Sequence, residues 1–170
     1  MKYLQNGGFH QHPMMRTTLL FTMVLLSGFI AVNFLLFFSK MGLHPDSIAS
    51  YYRGNEEEFL PARTYQSMIE VSHSHLPVMA IVLLMLTHLF IFIPMSKGIK
   101  YILISVTFGS ALLNEASNYL IRFVDPLFAY LKIGAFLAFQ SSMVALVIML
   151  SVFLVRTQQQ ENGYGENTDA

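Results

Sequence analysis

Cysteine is absent from this chain of 170 residues, which excludes disulfides, thiolate metal sites and iron–sulfur clusters. Charge is also scarce, because only 12% of residues are Asp, Glu, Lys or Arg, against roughly 25% in a soluble domain. Ten basic residues balance ten acidic ones, so no basic surface predicts a nucleic-acid partner. Gly-rich phosphate loops and nucleophile-elbow motifs are missing as well.

Apolar residues are abundant where charged residues are scarce. They make up 54% of the chain, with a mean hydropathy of +0.52. A surface so poor in charge suits hydrocarbon, because lipid penalises charged side chains. The composition therefore predicts an integral membrane domain whose main partner is the lipid bilayer.

Four long apolar segments predict the fold class. The first runs from Leu19 to Phe38, which is about the length that spans a bilayer core and longer than the apolar region of a signal peptide. We expect an all-α protein, a four-helix transmembrane bundle. Its single domain covers residues 1–156, with helices at about 17–39, 62–95, 99–123 and 127–155, and a disordered polar tail follows at 157–170.

The first outer loop holds a further helix signal. His44-Pro45-Asp46-Ser47 is typical of a helix start, because proline suits the first turn. Ile48, Tyr51 and Tyr52 then share one helical face. We predict a short interfacial helix that lies on the membrane surface.

Orientation depends on a weak charge bias. The tight turn from Ser96 to Lys100 is purely basic, while the opposite loops hold nearly all the acidic residues. The positive-inside rule then places both termini in the cytoplasm. We expect a bacterial inner membrane location, with other membrane subunits or further copies of the chain as protein partners.

Ionisable and amide side chains concentrate in the outer half of the predicted bundle. In helix three, Glu115, Asn118 and Arg122 share one face at spacings of three and seven residues. Polar groups in transmembrane helices are costly and are functional candidates by default. The remaining members of the cluster are Asn114 and Asp125 of helix three, together with Glu70, His73, His75, Asn33, Lys132 and Gln140.

Metal binding is one hypothesis for this cluster. Glu70 and His73 form Glu-x-x-His, a spacing that supplies two ligands from one helix in carboxylate-bridged bundles. Glu115 is the only other intramembrane acid, so the candidate metal ligands are Glu70, His73 and Glu115. Alternatively, Glu115 pairs with Arg122 or a histidine and holds helices two and three together.

Histidines of helix two are the candidate cofactor ligands, because imidazole binds haem iron, copper and zinc. At about 100° per residue, His73 and His88 share a broad face, whereas His75 and His88 do not. His88 lies about 20 Å deeper than His73, at a depth similar to Met23 and Met149, which would suit a His/Met site. The alternatives are a wet histidine pair at the helix entrance and a hydrogen-bonded His88.

The motifs Tyr51-Tyr52-Arg53-Gly54, Glu70-Val-Ser-His-Ser-His-Leu and Leu86-Thr-His-Leu-Phe, with Glu115-Ala-Ser-Asn, resemble an uncharacterised bacterial family of small four-helix integral membrane proteins across residues 40–135. Histidines at both ends of one helix are also loosely similar to cytochrome b561-type membrane cytochromes. That second resemblance implies haem b with His73 or His75, and His88, as axial ligands. The chain departs from it because no second helix carries matching histidines.

Three functions follow as hypotheses. The first is a haem- or metal-binding redox protein that transfers electrons through the histidines of helix two. The second is a non-catalytic accessory or assembly subunit of a respiratory or other membrane complex. The third is proton or metal translocation through Glu115 and the histidines. The sequence decides neither enzymatic activity nor whether the cofactor is haem b, another metal or none.

Overall fold

The computed structural model describes residues 13–166, with side chains described as far as Arg156. This part of the chain contains five helices and no strand, which confirms the all-α prediction. The helices are α1 Pro13–Lys40, α2 Pro45–Arg53, α3 Tyr65–Phe90, α4 Lys97–Phe123 and α5 Phe128–Glu166.

Three described helices are long and apolar enough to cross a membrane. They are Pro13–Lys40, Tyr65–Phe90 and the Phe128–Arg156 part of α5. Helix α4 has 27 residues, enough to span, but it is more polar than these three. The protein is therefore embedded in a membrane, and a fourth crossing by α4 stays a prediction.

Helix α5 is longer than its predicted 127–155 and continues to Glu166. It thus covers most of the segment for which the sequence predicts disorder. The added residues include three glutamines, which are good helix formers, and no proline interrupts the segment.

Local signals explain where α2 and α3 begin and end. Proline stands in the first turn of α2, and Gly54 ends that helix with a left-handed φ of 85°. A Cβ atom on Gly54 would lie 2.7 Å from the backbone nitrogen of Ala62, so only glycine fits. The chain then folds back, and Thr64 caps α3 by accepting a hydrogen bond from the Ser67 N–H at 3.2 Å.

Helices α4 and α5 pack against each other more extensively than any other pair of described helices. Helix α1 packs on α5, and α3 packs on both α4 and α5. Helix α2 covers one end of α4 and α5, which we name the α2 end. Between the described parts of α1 and α3 there is at most a weak contact, so a gap separates them.

Two apolar clusters form the core. The larger lies away from the α2 end and joins Met23 of α1, Leu86 and Phe90 of α3, and Leu146 and Leu150 of α5. The smaller lies under α2 and includes Ile48, Ile121 and Phe136. The polar residues described next lie between these two clusters.

Candidate functional site

Glu115 of α4 is buried, with 7% of its surface exposed. The Ser72 hydroxyl of α3 donates a hydrogen bond to Oε1 of Glu115, and Asn118 Nδ2 donates a longer one to Oε2 at 3.5 Å. Ser72 also shares a hydrogen bond with the Tyr119 hydroxyl at 2.7 Å. These bonds fix the carboxylate between α3 and α4.

Tyr52 connects α2 to this network. Its hydroxyl donates to Asn118 Oδ1 at 2.7 Å, and the side chain is buried in the smaller core cluster. Burial raises the pKa of the Tyr52 phenol above its ordinary value of 10.0, and the nearby Tyr51 and Glu115 act in the same direction. Tyr52 therefore stays neutral and keeps its proton for this hydrogen bond.

Lys132 of α5 is a buried basic group, with 5% of its surface exposed. Its Nζ donates to the backbone carbonyl of Asn114 at 2.9 Å. Lys132 and Glu115 both line one cavity. Opposite charges are thus buried together inside the membrane domain, where an isolated charge would be costly.

A cavity of about 410 Å³ lies beside this charge pair. Lys132, Phe136 and Gln140 of α5 reach it because residues four and eight positions apart share a helix face. Glu115 and Asn114 of α4 reach it from the neighbouring helix. Helices α1 and α3 complete its walls with Phe29, Asn33, Leu36, Phe37, Val71, Ser74, His75, Val78 and Met79.

The cavity opens between α1 and α3. On α4 and α5 its lining residues are buried, as Glu115 and Gln140 are, or half-buried, as Asn114 and Asn118 are. On α1 and α3 it is also lined by Leu36, Val71 and Val78, which are exposed. Because the lining on α4 and α5 is less exposed than these residues of α1 and α3, the mouth of the cavity lies in the α1–α3 gap.

Two buried oxygens in the cavity wall lack a hydrogen-bond partner within the described part of the chain. They are Asn114 Oδ1 and Gln140 Oε1, and Gln140 is only 3% exposed. Buried polar atoms in native proteins are nearly always satisfied by protein, water or ligand. The amide side chains of Asn114 and Gln140 thus leave hydrogen-bonding capacity in the cavity wall that water or a ligand can satisfy.

A second cavity of about 70 Å³ lies on the side of Glu115 nearer the α2 end. Arg63, Ser67 and Tyr119 line it, and Glu115 lines both cavities. The guanidinium of Arg63 stacks over the Tyr51 ring at 4.3 Å, which closes this end of the site.

The structure separates the predicted ligands from one another. Glu70 is exposed and accepts a hydrogen bond from Gln66 at 3.1 Å. His73 and His75 are also exposed, and of the three predicted histidines only His75 lines the large cavity. Each residue turns a helix by about 100°, so Ser72 faces α4 while His73 points away.

His88 lies outside the polar site. It is exposed, and its ring packs edge-on against Phe92 with 5.6 Å between the centroids. Met23 is buried in the larger core cluster, and Met149 packs against that cluster. The structure therefore gives both methionines a packing role.

Among the described residues, no group of three or more His, Asp or Glu side chains is arranged to hold a metal ion. Glu70, His73 and Glu115 are accordingly not brought into one ligand set. Of the three predicted haem ligands, only His75 lines the large cavity, and haem b stays a prediction.

Arg122 has a different partner from the predicted one. Its Nε donates to the backbone carbonyl of Arg63 at 2.8 Å, which fastens the loop before α3 to α4. Glu115 bonds Ser72 and Asn118 instead. Glu115 and Asn118 do share a face, as their spacing predicts, and both line the cavity.

Sequence reasoning did not find the roles of Ser72 and Tyr52. Ser72 lies in a Glu-Val-Ser-His motif, in which Glu70 and His73 are the more conspicuous ligand candidates. Tyr52 was assigned to the membrane surface, because the pattern shows which face of α2 is apolar but not that this face packs on α4. Lys132 and Gln140 carried a usable signal, since they lie eight residues apart in an apolar helix.

Comparison with known proteins agrees with this architecture. Residues 42–161, which include α2, α3, α4 and most of α5, match the model of a family described as a transmembrane helical domain. No curated protein and no solved structure matches the chain. The resemblance to cytochrome b561 therefore stays a prediction.

Proposed function

We propose that this chain, which belongs to the Aq_1264_TM family of transmembrane helical domains, is a four-helix transmembrane bundle. We further propose that it binds a small molecule beside Glu115 and Lys132. The packing of α4 supports the fourth crossing. Helix α4 buries Glu115 and Ser117 against its neighbours, and its polar Asn114 and Asn118 line the cavity. Its length of 27 residues exceeds the roughly 20 that a bilayer core requires.

The observation that carries the binding function is the placement of two opposite buried charges on the wall of one cavity. Ionisable groups inside membrane domains are retained mainly where they serve binding or transfer. A volume of about 410 Å³ lies within the range of small-molecule sites, which are mostly apolar with a few fixed polar groups. Glu115 and Lys132 are such groups, within walls of Phe, Leu, Val and Met.

Native mass spectrometry of the protein released from its own membrane tests this proposal. We expect a wild-type peak that carries one small-molecule adduct. Gln140→Met should lose the adduct, since it removes a cavity acceptor with little change of volume. The matched control is Gln66→Met, an exposed position outside the cavity, which should keep the adduct. Adduct-free wild-type protein would overturn the proposal.

The fourth crossing has its own test, made simple by the absence of native cysteine. Lys97→Cys and Leu127→Cys lie at opposite ends of α4, and both positions are exposed. A membrane-impermeant maleimide should label them from opposite sides of sealed vesicles. Labelling of both from the same side would mean that α4 does not cross.

Haem b on His75 is a second candidate, favoured because His75 lines the cavity. A bound haem would supply one-electron transfer, and the second axial ligand would have to come from outside the described histidines. Purified protein would then show a Soret band that His75→Ala abolishes and His88→Ala retains. Colourless protein from haem-replete cells would contradict this candidate.

The other roles stay predictions. An accessory subunit should co-purify with oxidoreductase subunits, and a homo-oligomer should show twice or more the monomer mass. Proton translocation should give a pH-dependent flux in liposomes that Glu115→Gln abolishes. The bacterial inner membrane and the cytoplasmic termini likewise remain expectations from the charge bias.

A further inference from the structure

The large cavity is lined by donors as well as acceptors that have free hydrogen-bonding capacity. Asn114 Oδ1 and Gln140 Oε1 have no donor among the described residues. Each charged group has a protein partner, since Ser72 donates to Glu115 and Lys132 donates one of its three N–H groups to the Asn114 carbonyl. The pair Glu115 and Lys132 is neutral in sum, so the site does not favour a ligand with a net charge. A neutral hydroxyl group suits this lining, because a hydroxyl both donates and accepts hydrogen bonds.

The two free acceptors lie at nearly the same depth. Helices α4 and α5 are consecutive and are joined by the short segment 124–127. Asn114 stands nine residues before Phe123, and Gln140 stands twelve residues after Phe128. At about 1.5 Å per residue they are roughly 13 and 18 Å from the α2 end, so they differ by only about 4–5 Å.

That depth is near the middle of a hydrocarbon core of about 30 Å. Along the membrane normal, a head group at the interface is therefore too far away to meet these acceptors. A donor group that does meet them belongs to water inside the cavity or to a molecule dissolved in the hydrocarbon itself. Such a molecule is mostly apolar.

The walls of the cavity suit an apolar body. Phe37 of α1 stacks on Phe136 of α5 at 4.0 Å between ring centroids, and both rings line the cavity. The mouth between α1 and α3 is edged by Leu36, Val71 and Val78. At the α2 end the lining is more polar and includes the buried Tyr52, the half-buried Tyr51 and the exposed Lys40. The mouth in the α1–α3 gap thus leads sideways into lipid.

We infer that the cavity takes an apolar alcohol or phenol from the bilayer through the α1–α3 gap. Its hydroxyl donates to Asn114 Oδ1 or Gln140 Oε1, and its body lies along the aromatic wall. This inference rests on the proposed function and names the class of its ligand.

The test compares 2-naphthol with 2-methoxynaphthalene on the full-length protein in lipid nanodiscs. The two probes share one ring system, but only naphthol donates a hydrogen bond. The protein contains no tryptophan, so naphthalene emission can be excited apart from the protein, and empty nanodiscs give the partition background. Naphthol should bind saturably and about tenfold tighter, which corresponds to about 1.4 kcal/mol for one hydrogen bond.

Matched variants locate the site. Asn114→Leu combined with Gln140→Met should reduce naphthol affinity to that of the ether, while Gln66→Met should leave it unchanged. Circular dichroism checks that each variant keeps its helices. Equal affinity of the two probes would overturn hydroxyl recognition, and unchanged naphthol affinity in the double variant would overturn the assigned acceptors.

The route is tested by association rates. Val78→Trp places a bulky ring at the mouth and should slow naphthol association severalfold, whereas Val24→Trp, an exposed α1 position outside the cavity, should not. Equal rates in the two variants would overturn entry through the gap. If wild type carries an adduct in mass spectrometry but does not prefer naphthol, only this inference is overturned. If wild type shows neither an adduct nor probe binding, the proposed function is overturned too.

Discussion

Ser72 of α3 donates a hydrogen bond to the carboxylate of Glu115 of α4, 43 residues away along the chain. Both residues are buried. In a low-dielectric interior, a carboxylate needs such donors because it has lost its water. This bond therefore sets the register between α3 and α4 as well as the direction in which Glu115 meets the cavity.

Ser72→Ala should lower the free energy of unfolding by about 1–3 kcal/mol, because it leaves a buried acceptor without its donor. Titration of mixed micelles with sodium dodecyl sulfate measures the loss. Ser142→Ala is the matched control, since this buried hydroxyl bonds only the Phe139 carbonyl of its own helix, and its loss should be smaller. Equal losses would show that the Ser72–Glu115 bond contributes nothing specific.

Lys132→Met should destabilise the protein by about 3–5 kcal/mol, because the buried Glu115 carboxylate then lacks a compensating charge. The double variant Glu115→Gln with Lys132→Met should recover most of that loss. A double-mutant cycle in the same micelles measures the coupling. Additive losses would mean that the two charges do not stabilise each other.

Tyr52→Phe should change how stability depends on alkaline pH. An unfolded tyrosine loses its proton near pH 10, whereas burial raises the pKa of folded Tyr52. The folded state therefore holds the proton more tightly, and the resulting stability is present below pH 10 and is lost as the pH rises through the raised pKa. Wild type should lose stability above pH 10 more steeply than Tyr52→Phe, and parallel curves would contradict the burial of this phenol.

Gly54→Ala should destabilise the turn after α2 by more than about 1 kcal/mol, because its φ is left-handed and a Cβ would meet the Ala62 nitrogen at 2.7 Å. Gly134→Ala is the control, since no heavy atom lies within 4 Å of its added Cβ and alanine favours a helix. It should be neutral or stabilising in the same unfolding assay. A Gly54→Ala protein as stable as wild type would show that the turn can relax.

The helices could be predicted from the sequence because each depends on local pattern. The apolar run from Leu19 to Phe38 predicts α1, and the Pro45 start predicts α2. Boundaries differ by a few residues, as for α3, which ends at Phe90 rather than near residue 95. Turn hydrogen bonds follow Phe90, such as the one that the Ile93 N–H donates to the Phe90 carbonyl at 3.1 Å. Helix ends depend on such local bonds rather than on hydropathy.

The polar site could be predicted only in part. Glu115 and Asn118 were identifiable as polar residues on one face of an apolar helix. Their partners could not be, because periodicity does not show which residue of α3 faces α4. The prediction favoured the histidines because imidazole binds metals and haem iron. The rotation of α3, however, turns His73 outward and places Ser72 against Glu115.

A crystal structure grown from a lipid phase would test the central claim most directly, since it would show what the large cavity holds. We predict density for a molecule other than water, with an atom within hydrogen-bond distance of the Asn114 or Gln140 side chain. A cavity that contains only water, or one filled by the protein's own side chains, would contradict the account.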